Sequence, residues 1–518
     1  MGIIVKGKTT LRGSTIIKGE TPAGPSAKIS ILKTSDNSLI YENDSINDIM
    51  TYLGSYTATF PITVQFNDST THQPTSGSIT IPAATNGSNL VTFKAKSGFS
   101  PVIDGQLLSS TVITFNGSNV TWDGIDVINA YTSNSDDGGT IIRLNGSKSN
   151  LTIKNCLLKS GLVGIRGTTD ITGITIENVV VEEVNLGCIR IGGGFFSDPD
   201  MYEDFDLRDT TEYDLHDVLV KNITCLDTLS GGNVPGTTQP FSALIIIKRT
   251  ENLTVQNTKH DCLTDGHLII EDSTNVSVDR ILSPTRTSGG YGIGITGSDF
   301  VTVSNSFIKS VTGSATTLLY FNIVRNIKLI HNTFVGVNQF DSLNTQGLRR
   351  ILKVVGNLTS FDYYGPFGFN IATTVNGVSY TASMANDFQE EHDNVLWNNN
   401  EYEDLLYVSG VLSGSDLKVR KSNTFSGAIL DSTYRSTYSG YGVNSSFQDL
   451  NLITLATRTN PDSSTSGPYY LGASESSTYG RNMITSSVDS LAATDCAGYT
   501  RTYSTDAGAF DRDATTLS

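Results

Sequence analysis

The sequence predicts an all-β parallel solenoid. Three observations carry that prediction: a short phrase of alternating apolar and polar residues with an Asn-type corner, its ninefold recurrence, and its spacing. The phrase is clearest at 301–308 (VTVSNSFI). It returns at 120–127 (VTWDGIDV), 151–158 (LTIKNCLL), 174–181 (ITIENVVV), 218–225 (VLVKNITC), 253–260 (LTVQNTKH), 276–283 (VSVDRILS), 327–334 (IKLIHNTF) and, weakly, 352–359 (LKVVGNLT). The starts from 253 onward lie 23, 25, 26 and 25 residues apart, and the earlier ones 31, 23, 44 and 35, as enlarged loops would produce. A period of 20–50 residues built from period-2 strands marks a β-solenoid.

Alternate residues of a strand point to opposite faces, so the Val, Ile and Leu positions point inward and the Thr, Lys, Ser and Glu positions outward. The fifth residue is Asn in Asn155, Asn178, Asn222, Asn257 and Asn305, and Gly, Arg or His in the other phrases. Asn tolerates left-handed backbone and suits a tight corner. Stacked corners place one amide above the next, which predicts a ladder along the axis. Roughly a dozen coils at ~4.8 Å each give a rod about 60 Å long.

The elements follow in chain order. Residues 1–25 repeat a strand-then-Gly unit (Ile4-Val5-Lys6-Gly7, Ile16-Ile17-Lys18-Gly19) before the breaker Thr21-Pro22-Ala23-Gly24-Pro25. This segment is too small to bury its own core, and reads as a frayed tail or an anchor that orders on a partner. The N-terminus has no apolar run or cleavage site of the secretory kind. Residues 26–60 are expected to be a linker and a capping helix. In 45–54, Ser45 suits the N-cap, Asp48 the third position and Gly54 the stop, while Ile46, Ile49, Met50 and Leu53 share one face. Strands are expected from 62–66 and 77–81, a β-helix over 61–430, and a Ser/Thr/Tyr-rich closing segment at 431–518 wrapped over the last coils.

Composition limits the partners. Charged residues make up 17% and the net charge is −16. That balance argues against nucleic acid and anionic membrane, and weakens the case for a polyanionic glycan unless a local basic cleft survives it. No run is long enough to span a membrane. The cysteines Cys156, Cys188, Cys225, Cys262 and Cys496 lack close ligand spacing and read as small buried residues.

Candidate chemistry sits in three places. The first is the acidic stretch 198–214, with Asp198, Asp200, Asp204 and Asp206. It reads as a side loop that contacts a neighbouring subunit, binds Ca²⁺ or supplies paired carboxylates. Apart from that Ca²⁺, no cofactor is expected. The second is His260, Asp261, Asp265 and His267, of which 261, 265 and 267 share strand parity. Lys248, Arg249 and Arg280 lie one phrase away, and the alternative is polar outer corners. The third is the late aromatic group, including Tyr363, Tyr364 and Phe367, which suits stacking on sugars, a subunit contact or cover for the core.

The order of capping helix, Pro61-Ile62-Thr63-Val64, the segment 98–105 and Asn116-Gly117-Ser118-Asn119-Val120-Thr121-Trp122 resembles right-handed parallel β-helix proteins of the pectin-lyase-like superfamily. The C-terminal Asp495-x-x-Gly498-x-x-Arg501, then Asp506-Ala507-Gly508-Ala509-Phe510-Asp511, is similar to a closing motif of such proteins from Bacteroidetes-type hosts, where the last residue is more often Glu. The resemblance implies a right-handed β-helix over about 45–515 and a structural role for Asp495, Arg501 and Asp506, with Arg501 paired to one of the two Asp. It leaves function open, because that fold hosts lyases, hydrolases, epimerases, adhesins and phage spikes. The favoured expectation is a virion fibre or spike subunit, a homo-oligomer with a trimer preferred. It would bind other virion proteins through 1–25 and contact host-surface polysaccharide. The alternative is a polysaccharide lyase or glycoside hydrolase, and a surface adhesin is a third reading.

Overall fold

The computed structural model describes most of residues 27–340, the backbone of strands between 351 and 471, and parts of 493–509; among the residues outside it are 1–26, 83–88, 131–138, 193–212, 227–244, 262–266 and 311–316. The chain is a parallel β-helix. Successive phrases stack in parallel and in register: Val120 beside Leu151, Leu151 beside Ile174, Ile174 beside Val218, Val218 beside Leu253, Leu253 beside Val276, and Val276 beside Val301. Thr302 beside Lys328 continues the same register. The irregular intervals of 44 and 35 residues therefore leave the stacking unchanged, because the extra residues leave between strands.

The interior is a set of apolar columns. One runs Val64, Phe93, Trp122, Ile153, Ile176, Val220, Val255, Val278, Val303, each buried. Full burial of each such side chain contributes roughly 1.5–3 kcal/mol, which adds to the backbone pairing between neighbouring coils. Aromatic rings fill the early coils. Phe93 stacks on Trp122 at 5.5 Å, and the Trp122 Nε1–H donates to the Ile125 carbonyl at 2.8 Å, so the indole is buried without losing its hydrogen bond.

The predicted corners are left-handed. Position five has φ of +56° at Asn155, +55° at Asn178, +54° at Asn222, +51° at Asn257 and +49° at Asn305, and the same sign at Gly124, Arg280 and His331. The amides form the expected ladder. Asn155 donates to Asp123 at 2.7 Å, Asn178 to Asn155 at 2.9 Å, Asn222 to Asn178 at 2.8 Å, and Asn257 to Asn222 at 2.7 Å. A second ladder, not anticipated from the phrase, occupies the residue just before it. Asn150 donates to Asn119 at 2.8 Å, Asn252 to Asp217 at 3.0 Å and Asn275 to Asn252 at 3.1 Å. Those positions are also left-handed. Lining up the residue preceding each phrase would have found it.

The N-terminal end is closed. Helix Ile46–Ser55 has Ser45 as its N-cap, its hydroxyl accepting from the Asp48 N–H, and buries Ile46, Ile49 and Leu53 against the first coils. The helix passes through Gly54 and stops at Tyr56, whose N–H bonds the Leu53 carbonyl, so Gly54 is not the terminator. The stretch expected to be linker instead holds strands Ile29–Lys33 and Leu39–Asn43, paired antiparallel around a turn at Asn37 (φ +56°). Ile29–Lys33 also pairs antiparallel with Ile62–Phe66, the first coil strand, and so covers an edge that would otherwise seek another chain.

At the other end the stack runs past residue 430. Ile351–Val355 pairs with Phe388–His392, which pairs with Tyr441–Val443; Leu358–Phe361 pairs with Val395–Asn398, which pairs with Ser446–Phe447. Strands of two or three residues are too short to show a period, which is why the repeat fades from the sequence there. Among the described residues no helix is long and apolar enough to cross a membrane.

The ladder predicts a graded loss. Asn178→Ala removes two amide bonds and puts Ala at positive φ, and should cost about 1–3 kcal/mol. Asn178→Gly keeps the corner and should cost less. Denaturation midpoints of the two variants check this: an unchanged midpoint for Asn178→Gly, which keeps the corner but loses both amide bonds, would mean that the ladder contributes nothing beyond backbone shape.

Candidate functional site

The outward rows of the coils differ in charge pattern. In the fourth position of the phrase the sign alternates along the axis: Asp123, Lys154, Glu177, Lys221, then Gln256 and Asp279, each the register neighbour of the next. Lys154 lies 3.4 Å from Asp123, Lys221 3.3 Å from Glu177, and Gln256 bonds Asp279 at 3.1 Å. Alternation of this kind is what stacked strands require, since like charges directly opposite destabilise a sheet.

The row on Thr140–Leu144 and its successors breaks that rule. Thr114, Arg143, Arg166 and Arg190 are register neighbours in that order, so three guanidinium groups stand on consecutive coils, about 4.8 Å apart at the backbone. Arg143 and Arg166 are half-buried, and Arg190 is 7% exposed. Their strand neighbours Ile142, Ile165 and Ile189 point into the core and hold the backbone rigid beneath them. The row continues to Ile246, which points outward yet is only 7% exposed, so the arginines lie where an open face meets a covered one. A guanidinium is always charged and presents a fork of donors matched to carboxylate, sulfate or phosphate. Three stand in line as a strip on a chain of net charge −16. The strip was not singled out from the sequence. Arg143 and Arg166 are 23 residues apart and Arg190 a further 24, a signal visible only once the register is known.

The histidines of the second candidate cluster are interior. His260 is 2% and His267 0% exposed, with ring centroids 4.9 Å apart. His267 Nε2 meets the Thr258 hydroxyl at 2.8 Å, and His260 Nδ1 lies 3.5 Å from the Ser283 hydroxyl. His260 is the eighth residue of its phrase, in an inward column between Cys225 and Ser283. Phrase position thus places it inside, whereas counting parity from 261 did not. The side chain of Asp261 and all of Asp265 lie outside the described residues. The nearby bases are each next to a carboxylate: Lys248 is 2.6 Å from Glu271, Arg249 3.1 Å from Asp214, and Arg280 2.9 Å from Asp279.

The other candidates are less placed. Asp198, Asp200, Asp204 and Asp206 lie outside the described residues, as do Tyr363 and Tyr364. Phe367 opens strand Phe367–Asn370, which pairs with Asp404–Ser409 in a small separate sheet. Among the described residues no three His, Cys, Asp or Glu side chains are arranged to hold a metal. Cys156, Cys188, Cys225 and Cys496 are buried and unbridged. Burial, and then Asp126 and Asp123, push the Cys156 thiol well above its ordinary range, so it is a packing group rather than a nucleophile. Asp495, Arg501 and Asp506 are all buried, and Arg501 donates to the carbonyls of Gly508 and Ala509 at 2.8 Å each.

No protein-family model matches the chain, and no curated protein matches it in sequence. Among solved structures, a mannuronic acid specific polysaccharide family 6 lyase enzyme from human gut microbiota is similar at 12% identity, covering 68% of this chain and 85% of that one, with a TM-score of 0.30. No residue role follows from it.

If the interior histidines serve packing, His267→Ala should lower stability by about 2–4 kcal/mol, through the cavity and the orphaned Thr258 hydroxyl. Thermal or denaturant unfolding measures this. An unchanged unfolding curve would show that His267 is not a packing residue.

Proposed function

We propose that this β-helix binds an anionic polysaccharide along the row Arg143, Arg166 and Arg190. The observation that supports it is the in-register stacking of three arginines on a lateral surface where the fourth-position row alternates in sign. A polymer that brings one carboxylate or sulfate per step would meet one fork of donors per coil and gain charge-assisted hydrogen bonds. A row along the rod axis suits a linear polymer better than a small anion. The substrate class fits the polysaccharide lyase or hydrolase reading of this fold, in which the strip would hold the chain for cleavage. The fibre or spike reading, with its trimer and its virion contacts, turns on residues 1–25, which lie outside the described residues. The glycan reading is the one that a described surface supports.

Affinity electrophoresis in gels containing a polyuronate, a sulfated galactan or a neutral glucan tests binding. Retardation is expected in the charged gels only. It should weaken about tenfold or more for Arg143→Gln/Arg166→Gln, and fall with added salt. Equal retardation in the neutral gel, or no effect of the double substitution, would overturn the proposal. Incubation of the wild type with the retained polymer then separates the activities: new unsaturated ends mean a lyase, new reducing ends without unsaturation a hydrolase, and neither a binding protein.

A further inference from the structure

We infer that residues 493–501, together with Asp506, Gly508 and Ala509, form a lateral clip that locks three consecutive coils, those of 276–283, 301–308 and 327–334, after they have stacked. This site is independent of the arginine row and of the glycan reading.

The clip has its own internal structure. The Asp495 carboxylate accepts the N–H groups of Ala497 and Tyr499 at 2.9 Å each, and the turn it caps passes through Gly498 at φ +87°. Arg501 closes the other side. Its Nη2 donates to the Gly508 and Ala509 carbonyls at 2.8 Å, its Nη1 reaches the Asp506 carbonyl at 3.4 Å, and the Cys496 N–H bonds the Ala509 carbonyl at 2.8 Å. One planar guanidinium thus ties the returning segment to the capped turn, a geometry that Lys cannot reproduce.

The clip sits on the side of the stack, not over its last coils. Ala509 N–H donates to the Thr333 hydroxyl at 2.9 Å across 176 residues of sequence, Arg501 Nη2 reaches the Asn305 side-chain oxygen at 3.4 Å across 196, and Cys496 Sγ lies 4.0 Å from the Ile281 carbonyl across 215. Cys496 and Ala509 pack on Phe307, with Leu282 and Ala497 beside them. The corner row changes character beneath it. The ladder from Asn155 to Asn257 is exposed to water, but at the same corner Asn305 is 1% and His331 0% exposed. Asn305 leaves the ladder and bonds Asp279 at 2.9 Å on one side and Arg501 on the other. Asn332 turns inward as well, accepting from the Ser306 N–H at 3.0 Å and donating to the Val303 carbonyl at 2.8 Å. The side-chain amides of Asn305 and Asn332 are thus bonded within the protein, as groups withdrawn from water must be. Arg280 occupies the ladder slot between the exposed and covered parts.

Synthesis runs from the N-terminus, so the three coils exist before the clip does. Their local stability should therefore depend on Arg501 while that of the earlier coils does not. Hydrogen exchange of the full chain, wild type against Arg501→Ala and Arg501→Lys, tests this. Exchange should rise about tenfold or more in 276–283, 301–308 and 327–334 for both variants, with 151–158 and 174–181 unchanged. If Arg501→Ala does not fold, Thr333→Val, which removes one coil-side acceptor, should give the same local pattern more weakly. Uniform change along the stack, or no change in those three coils, would overturn the clip.

Discussion

The fold depends on a residue with left-handed backbone at the same place in the coils from Gly124 to His331. A strand that leaves its face one residue early or late would turn its whole apolar set toward water, because side-chain direction alternates with a period of two. The corner at position five, left-handed whether it is Asn, Gly, Arg or His, fixes where each strand ends. Once it is fixed, the in-register columns follow, and with them the burial of Ile, Val and aromatic side chains that holds the coils together. The Asn ladders add hydrogen bonds between coils at two corners, and their amides recur because Asn accepts the strained backbone and offers both a donor and an acceptor along the axis.

A register this strict also sets the outer surface. Whatever residue occupies one outward position meets the equivalent residue of the next coil within a strand spacing. The fourth position of the phrase uses that constraint to pair Asp, Lys and Glu across coils. The arginine row runs against it, and departures from local consistency are where function is to be sought.

Polar groups inside the stack follow a different rule. Thr258, His260, His267 and Ser283 interrupt the apolar interior within neighbouring coils, where position in the phrase makes them face inward. Near the coils of 276–334 the C-terminal motif covers a corner that elsewhere faces water, and the local Asn, Ser and Thr side chains bond to it or to one another instead of to solvent. Both regions show polar residues retained in a core because each has a partner of suitable geometry.

The sequence by itself determined the coil. Alternating Val and Thr with an Asn at a constant offset specify strand, face and corner through local stereochemistry alone, and Ser45 with Ile46, Ile49 and Leu53 specify the capping helix by the same kind of short-range rule. Even the stacking order was legible, since the phrases align as they pair. What only the tertiary structure decided is which distant residues share a row or a surface. The stacking of Arg143 on Arg166 and Arg190, the antiparallel cover over the first coil, and the docking of Cys496, Arg501 and Ala509 on the side of earlier coils all depend on contacts between residues 23 to 215 positions apart. Such contacts are fixed by loop lengths and by the register of the whole stack, which no local pattern encodes.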